Sequence, residues 1–247
     1  MNNFILVTGA SSGIGAEIAK LLSNKYNIIL HGSNIVKLKK IKNKCNSKYK
    51  QIIWEYDLSK INNIKISLEQ LIRSNKIKIN GYIHSAGKFL IKPSRLVTAK
   101  EIEEIWNINF FSSFLIFQTI INKKINKSAL KKVIFISSNI SGRGSNGTVL
   151  YNSTKGALDS MMRSLAIEFA PNIKINSILP GAIETNMTKN IFYNKKIKNL
   201  ILKNYPNGFG QTKDIANFVD FLISNNSNWV SGQQITIDGG RSIDLSE

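Results

Sequence analysis

The stretch Thr8-Gly9-Ala10-Ser11-Ser12-Gly13-Ile14-Gly15 lies between a short apolar run, residues 4–7, and a helical pattern that extends to Ser23. Its three glycines allow a tight turn out of a strand and a close approach of backbone to a ligand. A helix that begins here presents unpaired N–H groups and the positive end of its dipole, which together bind phosphate. Glycine is common in surface turns as well. The position between a first strand and a first helix is what makes this loop a dinucleotide-binding fingerprint.

Strands and helices alternate along the rest of the chain. Short runs rich in Ile and Val predict strands at Phe4–Thr8, Asn27–His31, Gln51–Tyr56, Gly81–His84, Lys132–Ser137, Lys174–Leu179 and Gln234–Ile237. Because the runs are continuously apolar, we expect both faces of the sheet to be covered. Helical patterns lie at Gly13–Ser23, Ile35–Cys45, Asn62–Ser74, Lys100–Asn122, Val149–Phe169 and Lys213–Ser224. This order predicts an α/β fold of the Rossmann type, a doubly wound parallel sheet of about seven strands with helices on both faces.

Length and composition predict one soluble domain over residues 1–247. The chain is 43% hydrophobic and has no repeat, linker or low-complexity segment. Its single cysteine, Cys45, excludes an internal disulfide and a cysteine-based zinc site. The longest apolar stretch, Ile108–Ile121, is too short and too polar to cross a membrane. The first residues lack the features of a signal peptide, so we expect a cytoplasmic protein.

The formal charge of +19 raises the question of a nucleic-acid partner. Of the 34 basic residues only five are Arg, which leaves 29 Lys. Proteins that read bases or phosphates favour Arg for its bidentate geometry. The Lys residues are spread along the whole chain, which indicates a compositional bias and solvated surfaces. The alternative is a basic face that attracts an acidic protein or an anionic substrate.

Further motifs follow at the ends of the later strands. They are Asp57-Leu58, His84-Ser85-Ala86-Gly87, Asn107-Ile108-Asn109, Ser137-Ser138, the pattern Tyr151-Asn152-Ser153-Thr154-Lys155, and the segment Pro180-Gly181-Ala182-Ile183-Glu184-Thr185. With the glycine loop, this ordered set resembles the short-chain dehydrogenase/reductase family over almost the whole chain. One departure is His84-Ser85, where the family usually has Asn-Asn.

The resemblance implies four catalytic residues, Asn109, Ser138, Tyr151 and Lys155. Tyr151 would exchange a proton with the substrate, although a free Tyr has a pKa of about 10. Lys155 lies one helical turn later on the same face, and we expect its charge to lower the pKa of Tyr151. By resemblance, Lys155 also binds the nicotinamide ribose, Ser138 donates to the substrate oxygen, and Asn109 holds a water that links Lys155 to solvent. Each residue type is also common at ordinary strand ends and helix faces, and it is their joint order that favours catalysis.

The resemblance also implies a set of cofactor contacts. These are Gly9, Ser11, Ser12, Gly13, Ile14, Gly15, Ser33, Asn34, Asp57, Leu58, Ala86, Gly87, Tyr151, Lys155, Pro180, Gly181, Ile183 and Thr185. An acid at the end of the second strand would bind the ribose 2′-hydroxyl of NAD and repel the 2′-phosphate of NADP. The sequence has no acid in His31-Gly32-Ser33-Asn34. This favours NADP, with NAD as the alternative, although NADP-preferring relatives often carry Arg where Ser12 or Ser33 stands.

The implied activity is NAD(P)(H)-dependent interconversion of a ketone and a secondary alcohol. Ile175–Thr188 is similar to 3-oxoacyl-carrier-protein reductases, which dock an acidic carrier on basic side chains near the site entrance. Candidates for that role are Lys131, Lys132, Lys189, Lys195, Lys196 and Lys198. A sugar, polyol or nucleotide-sugar dehydrogenase is the alternative within the family. A non-catalytic nucleotide-binding or nucleic-acid-binding protein is the alternative outside it, disfavoured by the intact tetrad and the scarcity of Arg.

The chain is expected to consist of two halves and a lid. By resemblance, residues 1–135 form a cofactor half, 136–247 a catalytic and substrate half, and 186–210 a lid. His31 and His84 are expected to be strand-end polar residues, Cys45 a packing residue, and no metal site is predicted.

Two helices carry more apolar positions than one stripe of about 100° accommodates, which together with the resemblance predicts a homodimer or homotetramer. Those positions are Ile105, Ile108, Phe111, Phe114, Leu115, Phe117, Ile121, Leu158, Met161, Met162 and Leu165.

Overall fold

The computed structural model describes residues 3–185, 188 and 195–243, with the backbone alone at 195–197 and 200. Much of the predicted lid, residues 186–187 and 189–194, therefore lies outside the described residues. In the described part of the chain no helix is both long enough and apolar enough to cross a bilayer.

One parallel sheet of seven strands forms the centre of the protein, in the order β3-β2-β1-β4-β5-β6-β7. The strands are β1 Asn3–Thr8, β2 Asn27–Gly32, β3 Gln51–Glu55, β4 Lys78–His84, β5 Lys132–Ile136, β6 Lys174–Pro180 and β7 Gln234–Ile237. All seven predicted strands are confirmed. The chain runs outward from β1 to β3, returns beside β1 with β4, and continues in the opposite direction. The strand order thus reverses between β1 and β4, where such sheets bind ligands.

Nine helices of the described residues connect and cover the strands. They are α1 Gly13–Leu22, α2 Ile35–Lys42, α3 Ile64–Ser74, α4 Ala99–Trp106, α5 Ser112–Ile121, α6 Lys123–Asn126, α7 Val149–Glu168, α8 Lys195–Leu202 and α9 Thr212–Ile223. α1, α2 and α9 supply one buried cluster, with Ile18, Leu38 and Val219. α3, α5 and α7 supply the other, with Leu68, Phe117 and Leu158. Both faces of the sheet are therefore covered, as the continuous apolar runs predict.

The single helix predicted over Lys100–Asn122 is wrong in one respect. A π turn at Asn107–Phe111 separates α4 from α5. In a regular α-helix two residues at i and i+2 point about 200° apart. Here Asn107 and Asn109 are both buried, because the wide turn brings both side chains inward. Asn107 Nδ2 donates to the carbonyl oxygen of Ser59 at 2.9 Å, while Asn109 reaches the other side of the site.

Candidate active site

A cleft of about 330 Å³ opens at the carboxyl ends of the strands, beside the reversal of strand order. It is lined by Ser138 and by every predicted cofactor contact except Asn34. The Asn34 side chain instead caps α2, with Oδ1 accepting from the Lys37 N–H at 2.9 Å. The first turn of α2 therefore takes up the side-chain oxygen of Asn34, and its contact with the cofactor stays a prediction. Lining residues outside the predicted catalytic and cofactor-binding residues are His31, Gly32, Tyr56, Ser85, Ile108, Ile136, Ser137 and Thr188.

The glycines of the first loop are required mainly by backbone packing. Gly9 has a φ of +67°, and a Cβ there would lie 2.8 Å from the Ala86 nitrogen. A Cβ on Gly15 would lie 2.4 Å from the Gly9 carbonyl oxygen. Gly13 has a φ of +55° and faces the Thr185 side chain across the cleft. The loop is thus folded onto itself and onto the end of β4, and no larger residue fits at Gly9 or Gly15 without moving backbone.

The start of α1 fits the pyrophosphate of a dinucleotide. Ser12 is the N-cap residue, but its side chain makes no capping hydrogen bond, and the first turn contains no acid. The first N–H groups of a helix have no partner within the helix. Because neither a cap nor a carboxylate takes them up here, they are available to an anion in the cleft.

Thr8 and His84 fix the wall opposite the glycine loop. Thr8 Oγ1 accepts from the N–H groups of Ser85 at 3.1 Å and Ala86 at 3.2 Å. The same oxygen lies 3.1 Å from Nδ1 of His84. His84 is fully buried, and burial holds its pKa well below the usual range, so the ring is neutral. His84 therefore occupies the position of the family's Asn as a buried positioning residue.

The outer end of the cleft carries Asp57 and the end of β2. Asp57 Oδ1 accepts from the Ser59 N–H at 3.0 Å and the Ser59 hydroxyl at 2.8 Å, which fixes the carboxylate. His31 is buried there, and burial lowers its pKa to about 4. The acid next to the end of β2 is Glu55 on β3, which pairs with Gly32 in the sheet. Its carboxylate accepts from the Ile35 N–H at 3.0 Å and does not line the cleft.

Tyr151 and Lys155 lie one turn apart on α7 at the inner end of the cleft. Lys155 Nζ is 5.7 Å from the centroid of the Tyr151 ring. It donates to the carbonyl oxygen of Ile136 at 2.8 Å, so α7 is tied to the end of β5. The Tyr151 ring packs edge-on against Phe89, with centroids 4.8 Å apart. A Cβ on Gly87 would lie 3.6 Å from Lys155 Nζ, so Gly87 leaves room directly above the amine.

The electrostatics of this pair differ from the sequence prediction. The pKa of Tyr151 is raised to about 12, mainly by burial. The charge of Asp159 also raises this pKa, and the hydrogen bond with the Ser138 hydroxyl lowers it. Burial lowers the pKa of Lys155 to about 8, opposed by Asp159. The net pKa of Tyr151 therefore lies above its ordinary value, whereas the sequence predicts a value below it. Desolvation dominates both groups, and the Lys155 amine is directed to a carbonyl oxygen.

The Asn109 side chain is engaged by its neighbours. Its Oδ1 accepts from the Lys88 N–H at 2.7 Å, and its Nδ2 donates to the Lys88 carbonyl at 3.1 Å and to Thr154 Oγ1 at 3.0 Å. The side chain is fully buried and does not line the cleft. It therefore joins the loop after β4 to α7, and the role of Asn109 in holding a water stays a prediction.

Two of the six predicted lysines lie away from the cleft. Lys131 and Lys132 lie at the amino end of β5 and line a separate cleft at the opposite end of the sheet. Lys132 is buried and donates to Ser227 Oγ at 3.0 Å. The prediction that these two residues lie near the site entrance is wrong, because the start of a parallel strand is remote from its carboxyl end. Lys189 and the side chains of Lys195 and Lys196 lie outside the described residues, and Lys198 is half-buried on α8.

Comparisons with known proteins agree with this geometry. A family model described as enoyl-(acyl carrier protein) reductase matches residues 9–242. The chain is 34% identical over 239 residues to the 3-oxoacyl-[acyl-carrier-protein] reductase of Buchnera aphidicola, with 95% of each chain covered. The chain belongs to the short-chain dehydrogenase/reductase family.

Solved structures of the family superpose closely. A short-chain dehydrogenase/reductase from Brucella melitensis, described as a glucose/ribitol dehydrogenase, has a TM-score of 0.88 at 26% identity, with 99% of this chain and 98% of that chain covered. A 4-hydroxyisoleucine dehydrogenase complexed with NADH has a TM-score of 0.89 at 26% identity, with 98% and 100% covered. As a short-chain dehydrogenase/reductase, the protein is an NAD(P)-dependent oxidoreductase that interconverts a ketone and a secondary alcohol.

Proposed function

We propose that the protein reduces 3-oxoacyl thioesters carried by an acyl carrier protein, with NADPH as the reductant. The observation that carries this proposal is the position of Tyr151, Ser138 and Lys155 together at the inner end of a cleft that the glycine loop lines. A phenol can donate a proton to a carbonyl oxygen, and a hydroxyl and an ammonium beside it can stabilise the charge that develops. The relative named above at 34% identity supports the substrate class.

The cleft residues would hold the cofactor in a defined order. The start of α1 would bind the pyrophosphate, Asp57 the adenine amino group, and Lys155 the nicotinamide ribose. Pro180, Gly181, Ile183 and Thr185 line the side of the cleft that would face the nicotinamide. The bound dinucleotide supplies the hydride for the reduction.

The protein's own residues manage the proton and the developing charge. Tyr151 Oη donates its proton to the carbonyl oxygen as that oxygen gains charge, and Ser138 Oγ donates a hydrogen bond to the same oxygen. The Lys155 ammonium stabilises the tyrosinate that remains. Asn109 positions the site, because it fixes the Lys88 loop against α7 beside Lys155.

An acidic carrier protein is the proposed partner, supported by the +19 charge of the chain. The same proposal places the enzyme in the cytoplasm with its carrier. The alternative substrates, sugars, polyols and nucleotide sugars, carry no acidic carrier. Because neutral sugars and polyols have no charge, the KM for them should change little with salt, whereas the KM for a carrier-linked substrate should rise as salt screens the opposite charges.

A substrate panel tests the proposed function. We expect NADPH oxidation with acetoacetyl thioesters of coenzyme A and of an acyl carrier protein, and faster oxidation with the carrier-linked form at low salt. Crotonyl thioesters, which contain a C=C bond and no ketone, serve as the matched control because the family model is described as an enoyl reductase. Turnover of gluconate or ribitol with NADP⁺, and none of the thioesters, would contradict the proposal.

The preference for NADPH is tested at Ser33. Ser33 lines the cleft and is exposed, and Glu55 is engaged by the start of α2, so no carboxylate faces the 2′-position. Ser33→Asp would place a negative charge beside the 2′-phosphate, and we expect the Kd for NADPH to rise by about tenfold or more. The Kd for NADH should change little or fall. Ser33→Ala is the control. Titration of nicotinamide fluorescence measures the Kd of each protein for NADPH and for NADH. A wild-type Kd tenfold lower for NADH than for NADPH would refute the preference.

A homo-oligomer, most simply a tetramer, is also part of the proposal. Much of the predicted apolar surplus packs inside the subunit, since Ile105, Phe117, Leu158 and Met162 are buried. Other positions remain at the surface: Phe111 is 43% exposed and Phe114 is 39% exposed. Phe111 ends the π turn and Phe114 lies on α5, in the helical region that family members use for pairing. A second copy of the chain would cover both rings.

Phe114→Glu tests this assembly. We expect it to reduce the molar mass measured by light scattering, because an interface core does not accommodate an unpaired carboxylate. Ile66→Glu, at an exposed apolar position on α3, is the control and should leave the mass unchanged. A wild-type chain that is monomeric and active at micromolar concentration would disprove the oligomer.

A further inference from the structure

Asp159 is a buried acid that none of the sequence motifs includes. It lies on α7 one turn beyond Lys155 and is 2% exposed. Its Oδ2 accepts from the Ser137 hydroxyl at 2.9 Å and from the Ser141 hydroxyl at 2.6 Å. Burying a carboxyl group is costly unless its polar atoms are satisfied, so its presence here requires an explanation.

Lys155 is the basic residue one helical turn before Asp159 on α7. Neither Asp159 nor Lys155 takes part in an ion pair within the described residues, and Oδ1 of Asp159 has no hydrogen-bond partner among them. Residues four apart share one face of a helix, so both buried charges lie on the same side of α7. Opposite charges attract more strongly in a protein interior than in water. The charge of Asp159 accordingly supports the ammonium form of Lys155 against burial.

The hydrogen bonds of Asp159 also reach the end of β5. The Ser137 hydroxyl that donates to Asp159 also lies 3.4 Å from the Lys155 carbonyl oxygen. The neighbours of Ser137 in the chain are Ile136, whose carbonyl accepts from Lys155 Nζ, and Ser138, which hydrogen-bonds Tyr151. Through Ser137 and its two neighbours, Asp159 is thus linked to the residues that contact Lys155 and Tyr151.

We propose that Asp159 is a positioning residue for the Tyr151–Lys155 pair: its buried carboxylate keeps Lys155 charged and fixes the end of β5 that carries Ser138. This inference rests on the proposed role of Lys155 in reduction. Asp159 acts through Lys155 and Ser137, and it does not line the cleft.

The other charged or titratable groups near the pair do not replace Asp159. His84 on β4 is neutral, Arg163 one turn further on α7 donates to Gln234, and the Lys88 ammonium pairs with Glu104. Asp238 follows β7 and accepts from Asn139 and Ser242. Asp159 is the acid whose charge acts on Lys155 and Tyr151.

Asp159→Asn tests the proposal, because it retains the shape and a hydrogen-bonding oxygen while removing the charge. We expect the pKa of Lys155, about 8 in the wild type, to fall, by on the order of one unit. The basic limb of the pH profile of kcat/KM for ketone reduction should move to lower pH by the same amount. Activity at pH 6 should be nearly retained, and activity at pH 8 should fall several-fold. Glu69→Gln on the surface of α3 removes the same charge and should leave the profile unchanged.

A second readout is independent of activity. The pH dependence of acetylation of Lys155 by acetic anhydride, followed by mass spectrometry of its peptide, reports the pKa of the amine directly. If the enzyme reduces no ketone but this pKa falls in Asp159→Asn, the proposed function fails while the link between Asp159 and Lys155 stands. An unchanged pKa in a folded variant overturns the proposal, as does a uniform loss of kcat at every pH.

A second variant, with an apolar residue in place of Asp159, keeps the proposal testable if Asp159→Asn does not fold. Asp159→Leu has no charge to bury, and we expect the same fall in the pKa of Lys155. If both variants fail to fold by circular dichroism, Asp159 serves stability and the proposal is overturned.

Discussion

Tyr151→Phe is expected to lower kcat for ketone reduction by about 10²–10⁴-fold, the usual contribution of a general acid. The substitution removes only the phenol oxygen, and the ring still packs edge-on against Phe89. The glycine loop and Asp57 are untouched, so the Kd for NADPH should be nearly unchanged. Single-turnover oxidation of bound NADPH measures the chemical step, and quenching of protein fluorescence measures affinity.

Tyr49→Phe is the matched control for this loss. Tyr49 lies in the turn before β3, away from the cleft, and its substitution should leave both constants unchanged. Retention of more than a few per cent of wild-type activity in Tyr151→Phe would show that another group donates the proton.

Gly15→Ala should remove cofactor binding and destabilise the fold. A Cβ at this position would lie 2.4 Å from the Gly9 carbonyl oxygen and 2.8 Å from the Gly9 carbonyl carbon. Both atoms are backbone, so no rotamer change relieves the clash and the loop must move away from α1. Overpacking of this kind costs about 1–3 kcal/mol or more. For a chain of this size that lowers Tm by roughly 2–12 °C.

Gly144→Ala is the control, because a Cβ there meets nothing within 4 Å. Calorimetry gives the stability of both variants, and titration with NADPH gives the affinity, which should fall at least tenfold in Gly15→Ala alone. A Gly15→Ala protein with wild-type Tm and affinity would show that the loop does not require this packing.

The fold is largely encoded in local sequence patterns. Continuous apolar runs predict the seven strands because both faces of a parallel sheet are buried. β4 begins at Lys78, three residues before the predicted start at Gly81, because Lys78 and Asn80 interrupt the apolar run at the amino end of the strand. The π turn at Asn107–Phe111 could not be predicted, because it depends on partners for Asn107 and Asn109 that are distant in the chain.

The site was predictable in position but less so in its electrostatics. The motifs place Tyr151, Lys155 and Ser138 on one cleft, because the carboxyl ends of parallel strands meet at one edge of the sheet. The pKa of Tyr151 depends instead on burial, which the spacing of Tyr and Lys does not show. Asp159 was missed because an acid in an amphipathic helix usually faces solvent. A signal was present in its spacing of four from Lys155 and eight from Tyr151.

Transfer of deuterium tests the central claim most directly. The wild-type protein is incubated with NADPH deuterated at C4 of the nicotinamide, using each stereoisomer in turn, and with an acetoacetyl thioester. We expect one stereoisomer alone to place a single deuterium on C3 of the hydroxyacyl product, detected by mass spectrometry, and Tyr151→Phe to give almost none. NADPH oxidation without deuterium on C3, or label transfer that persists at the wild-type rate in Tyr151→Phe, would contradict the assignment of this cleft as a ketoreductase site.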